Sequence, residues 1–247
     1  MENKKTGGAA AREDLRVVLW DIDGTLVTTA RRGVFKDYTA PAVIRLFGTA
    51  GRLDELRVSG MTDLQIVCEA LRDEGFTTDD VRARGPELCE HYLVELERLT
   101  NDHLLYYALP GARAALEAVG RSPRYVNALL TGNVEPAARW KLRATGLDEF
   151  FRLPGAFGED SHDRRDLPAL AAARINAHLK LDLAPARFIV VGDTPGDIGC
   201  ARHFGARCVA VATGRFHPAA ELAAFNPDAV LPDLTDTAAF MRVLDSL

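Results

Sequence analysis

Five polar side chains that could carry out chemistry lie in the segments that directly follow short apolar runs of this sequence. They are Asp21, Asp23, Thr131, Asp193 and Asp197, and the runs before them span residues 17–20, 125–130 and 188–191. The runs are mainly aliphatic or β-branched instead of alternating, which is typical of strands that are covered on both faces in a parallel sheet. Ligands bind just beyond the carboxyl ends of such strands. We therefore expect the five side chains to converge at one edge of a sheet.

The four carboxylates of this set would repel one another strongly in a buried site. A hard divalent cation with oxygen ligands would offset that repulsion, and Mg²⁺ is usually held by a few carboxylates that leave positions for water and phosphate. The sequence therefore predicts a Mg²⁺ site formed by Asp21, Asp23, Asp193 and Asp197.

With such a cation, the same residues can transfer a phosphoryl group. Asp21 can act as a nucleophile that forms an aspartyl-phosphate, and Asp23 can protonate the leaving alcohol and later deprotonate water. The Thr131 hydroxyl and the backbone N–H groups of Gly132 and Asn133 can donate hydrogen bonds to the phosphoryl oxygens. We therefore predict that Asp21, Asp23 and Thr131 are catalytic and that Gly132 and Asn133 bind the substrate.

The elements around these residues alternate in the manner of an α/β fold. A further strand is predicted at residues 208–212, with weaker candidates at 150–153 and 229–231. Helices are predicted between the strands, at residues 110–119, 135–145, 168–179 and 197–204. This alternation implies right-handed βαβ units and a Rossmann-like, doubly wound parallel sheet.

The interval after the first strand does not follow this rhythm. It contains helix-like stretches at residues 62–71 and 86–99 and no convincing strand, and it is far longer than an ordinary βα connection. We therefore predict an inserted helical cap domain. The predicted division is a disordered N-terminal segment at residues 1–14, a catalytic core at 15–28 and 108–247, and the cap at 29–107.

The polar segments resemble the sequence motifs of the haloacid dehalogenase superfamily, in the expected order. Residues 21–26 (Asp-Ile-Asp-Gly-Thr-Leu) match the first motif, residues 129–133 the second and residues 192–197 (Gly-Asp-Thr-Pro-Gly-Asp) the fourth. The resemblance covers residues 16–235, and the position of the insertion is similar to that of the C1-cap subgroup, with phosphoglycolate phosphatase-like members nearest. It implies a Rossmann-like core, an aspartyl-phosphate intermediate and a Mg²⁺ ion. The ligands it implies are Asp21, Asp193 and the backbone carbonyl of Asp23.

The third motif is where this sequence departs from the superfamily. Relatives show a lysine followed by proline, whereas residues 163–168 here read Asp-Arg-Arg-Asp-Leu-Pro. Either Arg164 or Arg165 could supply the fixed positive charge, because a guanidinium can bind phosphate in a bidentate manner. We favour Arg164 as the catalytic cation and place Arg165 in substrate binding. Lys141 is a third candidate, but its place in a helix predicts a surface position.

The composition limits the classes of partner. The 247 residues carry 30 basic and 35 acidic side chains, a net charge of −5, and no basic cluster that would attract nucleic acid or an anionic membrane. No apolar run is long enough to span a membrane, no signal peptide is recognisable, and the four cysteines and six histidines lack metal-ligand spacing. We expect a cytoplasmic protein that acts on a small phosphorylated metabolite. The sequence leaves its oligomeric state open.

Several alternatives stay open at this point. A phosphomutase of the same architecture would keep Asp23 and every motif. A non-catalytic binding protein should have lost one of the aspartates, and a dehalogenase needs no acid at the leaving group.

Five polar residues could cap the N-termini of the helices that follow them instead of taking part in a functional site. They are Thr62, Asp63, Thr131, Asp193 and Asp197.

Overall fold

A computed structural model describes residues 14–100 and 105–247. Its strands are β1 Arg16–Trp20, β2 Val27–Thr29, β3 Tyr106–Ala108, β4 Tyr125–Leu129, β5 Phe188–Gly192, β6 Arg207–Val211 and β7 Ala229–Leu231. Its α-helices are α1 Val34–Phe47, α2 Asp63–Leu71, α3 Thr78–Ala83, α4 Gly85–Thr100, α5 Ala112–Arg121, α6 Glu135–Ala144, α7 Leu167–Leu179, α8 Pro195–Phe204, α9 Ala219–Ala224 and α10 Thr237–Ser246. The predicted disordered segment at 1–14 lies, apart from Asp14, outside the described residues.

Five strands form one parallel sheet in the order β4-β1-β5-β6-β7. At the carboxyl end of β1, Trp20 lies opposite Leu129 of β4 and Val191 of β5. The residues that follow these three positions are therefore brought side by side, which is the convergence that the sequence predicts. The parallel α/β fold and the strand at 229–231 are confirmed.

Helices cover both faces of this sheet. Side chains along a strand point alternately to its two faces, and in β1 the buried Val18 and Trp20 belong to one apolar cluster while Val17 and Leu19 belong to another. Helices α5 and α10 contribute to the first cluster, and α7 and α8 contribute to the second. This arrangement is the doubly wound, Rossmann-like core that the sequence predicts.

The inserted segment is helical and is joined to the core by a small antiparallel sheet. Helices α1 to α4 lie between β2 and β3, which pair with Val27 opposite Ala108 and Thr29 opposite Tyr106. These two strands are not predictable from the sequence, because three residues are too few to show a period of two. The exact division into cap and core stays a prediction.

The weak strand candidate at residues 150–153 is wrong. Asp148–Phe150 is a 3-10 helix, and the chain pairs with the end of β4 only through an isolated bridge between Leu130 and Ala156. Within the described parts of the chain, no helix has both the length and the apolar character that crossing a bilayer requires.

Candidate active site

Three of the predicted aspartates form a buried cluster at the carboxyl edge of the sheet. Asp21 directly follows β1, Asp193 directly follows β5, and Asp197 lies in the first turn of α8. One carboxylate oxygen from each lies within 4.8 Å of the others, and the three residues are 5%, 5% and 0% exposed. The parallel register places them together although 172 positions separate Asp21 from Asp193 in the sequence.

The cluster carries more negative charge than its protein surroundings offset. Burial, together with the neighbouring Asp197, raises the pKa of Asp21 to about 7. Burial and the charge of Asp21 likewise raise the pKa of Asp193 well above its usual range. A carboxylate is stabilised in such a place by a cation, and hard divalent ions take oxygen ligands of this kind. The three side chains therefore fit a divalent metal ion.

Small residues bring the backbone close to the Asp193 carboxylate. A Cβ atom added to Gly24 would lie 2.3 Å from Asp193 Oδ2, and one added to Gly214 would lie 1.8 Å from the same atom. Gly24 also has a φ of +88°, which only glycine adopts without strain. The hydroxyl of Thr25 donates a hydrogen bond of 3.2 Å to Asp193 Oδ1. The first motif and the turn after β6 thus fix the Asp193 side chain.

Arg164 is the predicted cation that reaches this cluster. Its Nη2 atom donates to Asp21 Oδ1 at 3.2 Å and to Asp197 Oδ1 at 2.5 Å, and the residue is 7% exposed. Its Nε atom is buried without a hydrogen-bond partner in the described structure. A guanidinium thus lies beside the proposed nucleophile, and its Nη2 atom makes both hydrogen bonds to the aspartates.

Arg165 does not reach the site, so its predicted place in substrate binding is not supported. Its side chain is 63% exposed and pairs with Asp163, whose carboxylate also accepts a hydrogen bond from the Arg165 backbone N–H. The physical reason is the 3-10 helix Arg164–Asp166, in which consecutive side chains point in different directions. Arg164 points into the cluster and Arg165 points to solvent.

Lys141 is buried, and the predicted surface position is wrong. The residue is 2% exposed, because it shares the inward stripe of α6 with Ala137, Ala138 and Leu142. Its spacing of three and four residues from the two alanines is a sequence signal that could have revealed this. Lys141 Nζ donates to Asp23 Oδ2 at 2.7 Å.

Asn133 links Thr131 and Lys141 to Asp23. Its amide nitrogen donates to Asp23 Oδ2 at 2.7 Å and to Thr131 Oγ1 at 2.8 Å, and its amide oxygen accepts from Lys141 at 2.6 Å. Asp23 itself lies at the open side of the site, with 42% of its side chain exposed. Its carboxylate is therefore directed by Asn133 and Lys141 and does not join the three-carboxylate cluster through its side chain.

The loop before α2 covers the second motif. Asp63 N donates to the carbonyl of Gly132 at 2.7 Å, and a Cβ atom on Gly132 would lie 2.2 Å from the carbonyl oxygen of Met61. Farther out, Ser59 Oγ lies 3.0 Å from Nε2 of His217. The inserted helices are therefore closed over the carboxyl edge of the sheet.

Of the five residues that could cap a helix, some do so and others do not. Thr62 caps α2 by accepting from Gln65 N, and Asp197 forms a capping box with Thr194 at the start of α8 while also pairing with Arg164. Thr131 and Asp193 do not cap, since α6 begins after Val134 and α8 after Thr194. Asp63 accepts a hydrogen bond of 2.8 Å from Val134 N instead of capping its own helix.

A sequence model of the haloacid dehalogenase-like hydrolase family matches residues 18–202, which is more than half of the chain. The chain belongs to the haloacid dehalogenase-like hydrolase family. A second model, described as HAD-hydrolase-like, matches residues 168–237. The protein is therefore a hydrolase by family. No match was found among curated proteins.

Solved structures share the fold of this haloacid dehalogenase-like hydrolase at low identity. A hydrolase from Pseudomonas syringae is 23% identical, with a TM-score of 0.63 over 94% of this chain and 99% of the other. A predicted phosphoglycolate phosphatase from Haemophilus somnus is 20% identical, with a TM-score of 0.60 over 92% and 98%. CbbY from Rhodobacter sphaeroides, in complex with phosphate, is 17% identical, with a TM-score of 0.62 over 90% and 96%.

Proposed function

We propose that this protein is a Mg²⁺-dependent phosphatase that hydrolyses a small phosphorylated metabolite through an aspartyl-phosphate on Asp21. The observation that carries the proposal is the buried cluster of Asp21, Asp193 and Asp197, with the Arg164 guanidinium beside it. A nucleophilic carboxylate, a cation site and a fixed guanidinium are the parts that phosphoryl transfer requires. CbbY, which shares the fold, was crystallised with phosphate and with xylulose-(1,5)bisphosphate.

In the proposed first step, an Asp21 carboxylate oxygen bonds to phosphorus while the ester P–O bond breaks. The Asp23 carboxyl group gives its proton to the leaving oxygen and releases an alcohol. In the second step, Asp23 takes a proton from water, whose oxygen bonds to phosphorus as the bond to Asp21 breaks. The products are inorganic phosphate, the Asp21 carboxylate and the reprotonated Asp23 carboxyl group, so both side chains return to their starting states.

The surrounding residues have positioning and charge-neutralising roles in this proposal. Mg²⁺ would be held by Asp21, Asp193 and the backbone carbonyl of Asp23, with Asp197 near, and would neutralise charge on the phosphoryl oxygens when bound. Arg164 stabilises the same charge with its guanidinium. Thr131 and the backbone around Gly132 provide hydrogen-bond donors for the phosphoryl group.

The inserted helices would exclude water and select the leaving group, as covering segments do in other enzymes. Phosphoglycolate is one candidate metabolite within this class, and the cytoplasm is the location we expect for such a reaction. A phosphomutase would use the same Asp21 and Asp23, but it would return the phosphoryl group to a sugar phosphate.

Phosphate release by the purified protein tests the proposal. We expect Mg²⁺-dependent release from 4-nitrophenyl phosphate and from at least one member of a panel of phosphoglycolate, sugar phosphates and nucleoside monophosphates. Asp21→Asn should abolish it, and full activity in that variant, with deamidation excluded by mass spectrometry, would overturn the mechanism. Conversion of a sugar phosphate to its isomer without phosphate release would identify a mutase instead.

A further inference from the structure

The ammonium group of Lys141 is enclosed between Asp23 and two tyrosine rings. Its Nζ atom lies 5.8 Å from the ring centroid of Tyr38 and 5.5 Å from that of Tyr106. Burial alone would lower the pKa of Lys141, but the charge of Asp23, with which it pairs, raises it above its usual value. The side chain therefore stays charged although only 2% of it is exposed. The Lys141 ammonium group is costly to bury, and it is paired with the Asp23 carboxylate.

We propose that Lys141 is a positioning residue that fixes the Asp23 carboxyl group toward the oxygen of the leaving group. The inference rests on the proposed phosphatase function, in which Asp23 is the acid of the first step. It assigns Lys141 to the leaving-group side of the site and not to the phosphoryl group.

The hydrogen bonds of Asp23 support this assignment. Lys141 and Asn133 both donate to the same atom, Oδ2, at 2.7 Å. An exposed carboxylate without such partners would rotate among its rotamers, whereas two donors on one oxygen fix the group and direct Oδ1 away from them. Lys141 and Asn133 are also bonded to each other, so the three side chains form a closed triangle.

The geometry separates Lys141 from the phosphate-binding role that the sequence left open for it. The cation beside Asp21 is Arg164, whose Nη2 atom lies 3.2 Å from the Asp21 carboxylate. Lys141 makes its hydrogen bonds to Asp23 and Asn133. Two cations therefore act on the two carboxylates of the first motif, one on each.

Residues of the inserted helices contact Lys141 and the start of the helix that carries it. The ring of Tyr38 belongs to α1, and Asp63, at the start of α2, accepts a hydrogen bond from Val134 N at 2.8 Å, directly before α6. Because α6 carries Lys141, closure of the inserted segment and the orientation of Asp23 share the same contacts. The acid is thus in place when the site is covered.

The dependence of the rate on the leaving group tests this role. The value of kcat/KM reports the first transfer, in which phenyl phosphate needs a proton donor more than 4-nitrophenyl phosphate does, because phenoxide is the more basic leaving group. A well-placed general acid contributes about 100-fold or more. We expect Lys141→Met to lower kcat/KM about ten times more for phenyl phosphate than for 4-nitrophenyl phosphate. Asp23→Asn should show the same bias, and the double variant should add no further bias.

Two further variants complete the experiment. Arg143→Met, on the exposed side of the same helix, is the matched control and should leave both rates unchanged, and Lys141→Arg should recover part of the phenyl phosphate rate because it keeps a charged donor. Equal losses for both esters in Lys141→Met, or failure of both Lys141 variants to fold, would assign Lys141 to stability and overturn the inference. If the wild type cleaves neither ester, it is the proposed phosphatase function that fails.

Discussion

Arg164 donates a hydrogen bond of 3.2 Å to the carboxylate of Asp21, across 143 positions of the sequence. The same Nη2 atom contacts Asp197, so one guanidinium joins the proposed nucleophile to the first turn of α8. Residues 163–168 lack the lysine that the resemblance to the haloacid dehalogenase superfamily implied, and Arg164 is the cation that contacts these two aspartates. The Arg164 side chain can therefore bind a phosphoryl oxygen while keeping Asp21 oriented.

Substitution of the two adjacent arginines should separate the buried cation from the exposed one. Arg164→Met should lower kcat/KM for 4-nitrophenyl phosphate by about 100-fold or more, because it removes a fixed donor from the developing charge. Arg165→Met should change it less than about twofold, since exposed ion pairs contribute little. Steady-state kinetics with both variants, checked for folding by circular dichroism, gives the comparison. Similar losses in the two variants would contradict the placement of Arg164.

Metal removal should destabilise the protein more at high pH than at low pH. In the folded state burial raises the pKa of Asp21 from 3.8 to about 7. The metal-free folded protein therefore holds this proton more tightly than the unfolded chain does, and its unfolding free energy falls as the pH rises between those two values. Mg²⁺ binds the deprotonated carboxylates, so its stabilising effect should grow over the same range.

Thermal unfolding with EDTA or with Mg²⁺, at about pH 5 and about pH 8, measures this effect. The increase in Tm on adding Mg²⁺ should be larger at the higher pH. Asp193→Asn should reduce the increase at both pH values, because it removes one of the three clustered carboxylates. A Tm increase that is independent of pH and of Asp193 would argue against a metal at this cluster.

Asp63 should make an independent contribution to the pH dependence of stability. Burial raises the pKa of Asp63 from 3.8 to about 7, so its contribution to folding is fully present below the lower value and is lost as the pH rises through the higher one. Asp63→Asn keeps an oxygen that can accept from Val134 N and removes the titration. The difference in unfolding free energy between the variant and the wild type should therefore change by up to about 4 kcal/mol in favour of the variant as the pH rises, at 1.36 kcal/mol per pKa unit.

Urea unfolding of wild type and Asp63→Asn across this pH range checks that expectation. The two curves of unfolding free energy against pH should diverge upward from about pH 4 and become parallel above about pH 7. Parallel curves throughout would show that the Asp63 carboxyl group titrates alike in the folded and unfolded chains.

The backbone beside Asp193 should tolerate no side chain. Gly214→Ala would place a Cβ atom 1.8 Å from Asp193 Oδ2, and displacing a catalytic group by this order of distance can lower the rate about 100-fold. Gly199→Ala, within α8, meets no atom within 4 Å and should raise the unfolding free energy by up to about 1 kcal/mol. Activity and urea unfolding of both variants provide the test. A fully active Gly214→Ala variant would show that the Asp193 carboxylate is not held as described.

The ordered motifs were sufficient to predict the parallel sheet and the convergence of Asp21, Asp193 and Asp197. Both follow from local patterns, because a short apolar run followed by a polar residue marks a strand and its carboxyl end. The helical insertion was equally visible, since its length exceeds that of any ordinary connection. The three-residue strands β2 and β3, and the 3-10 helix in place of a strand at 150–153, carry too little local pattern to be predicted.

The sequence by itself determined which residue types lie at the carboxyl edge of the sheet, because the carboxylates and Thr131 follow the ends of strands. Only the tertiary structure decided which cation serves which carboxylate. Arg164 and Arg165 are neighbours in the sequence, and a 3-10 turn alone separates the buried side chain from the exposed one. Lys141 reads as a surface residue until Tyr38, Tyr106 and Asp23 enclose it. The helical spacing of Lys141 could indicate that it is buried, but its pairing with Asp23 and the tyrosine rings depends on contacts between segments that are distant in the sequence.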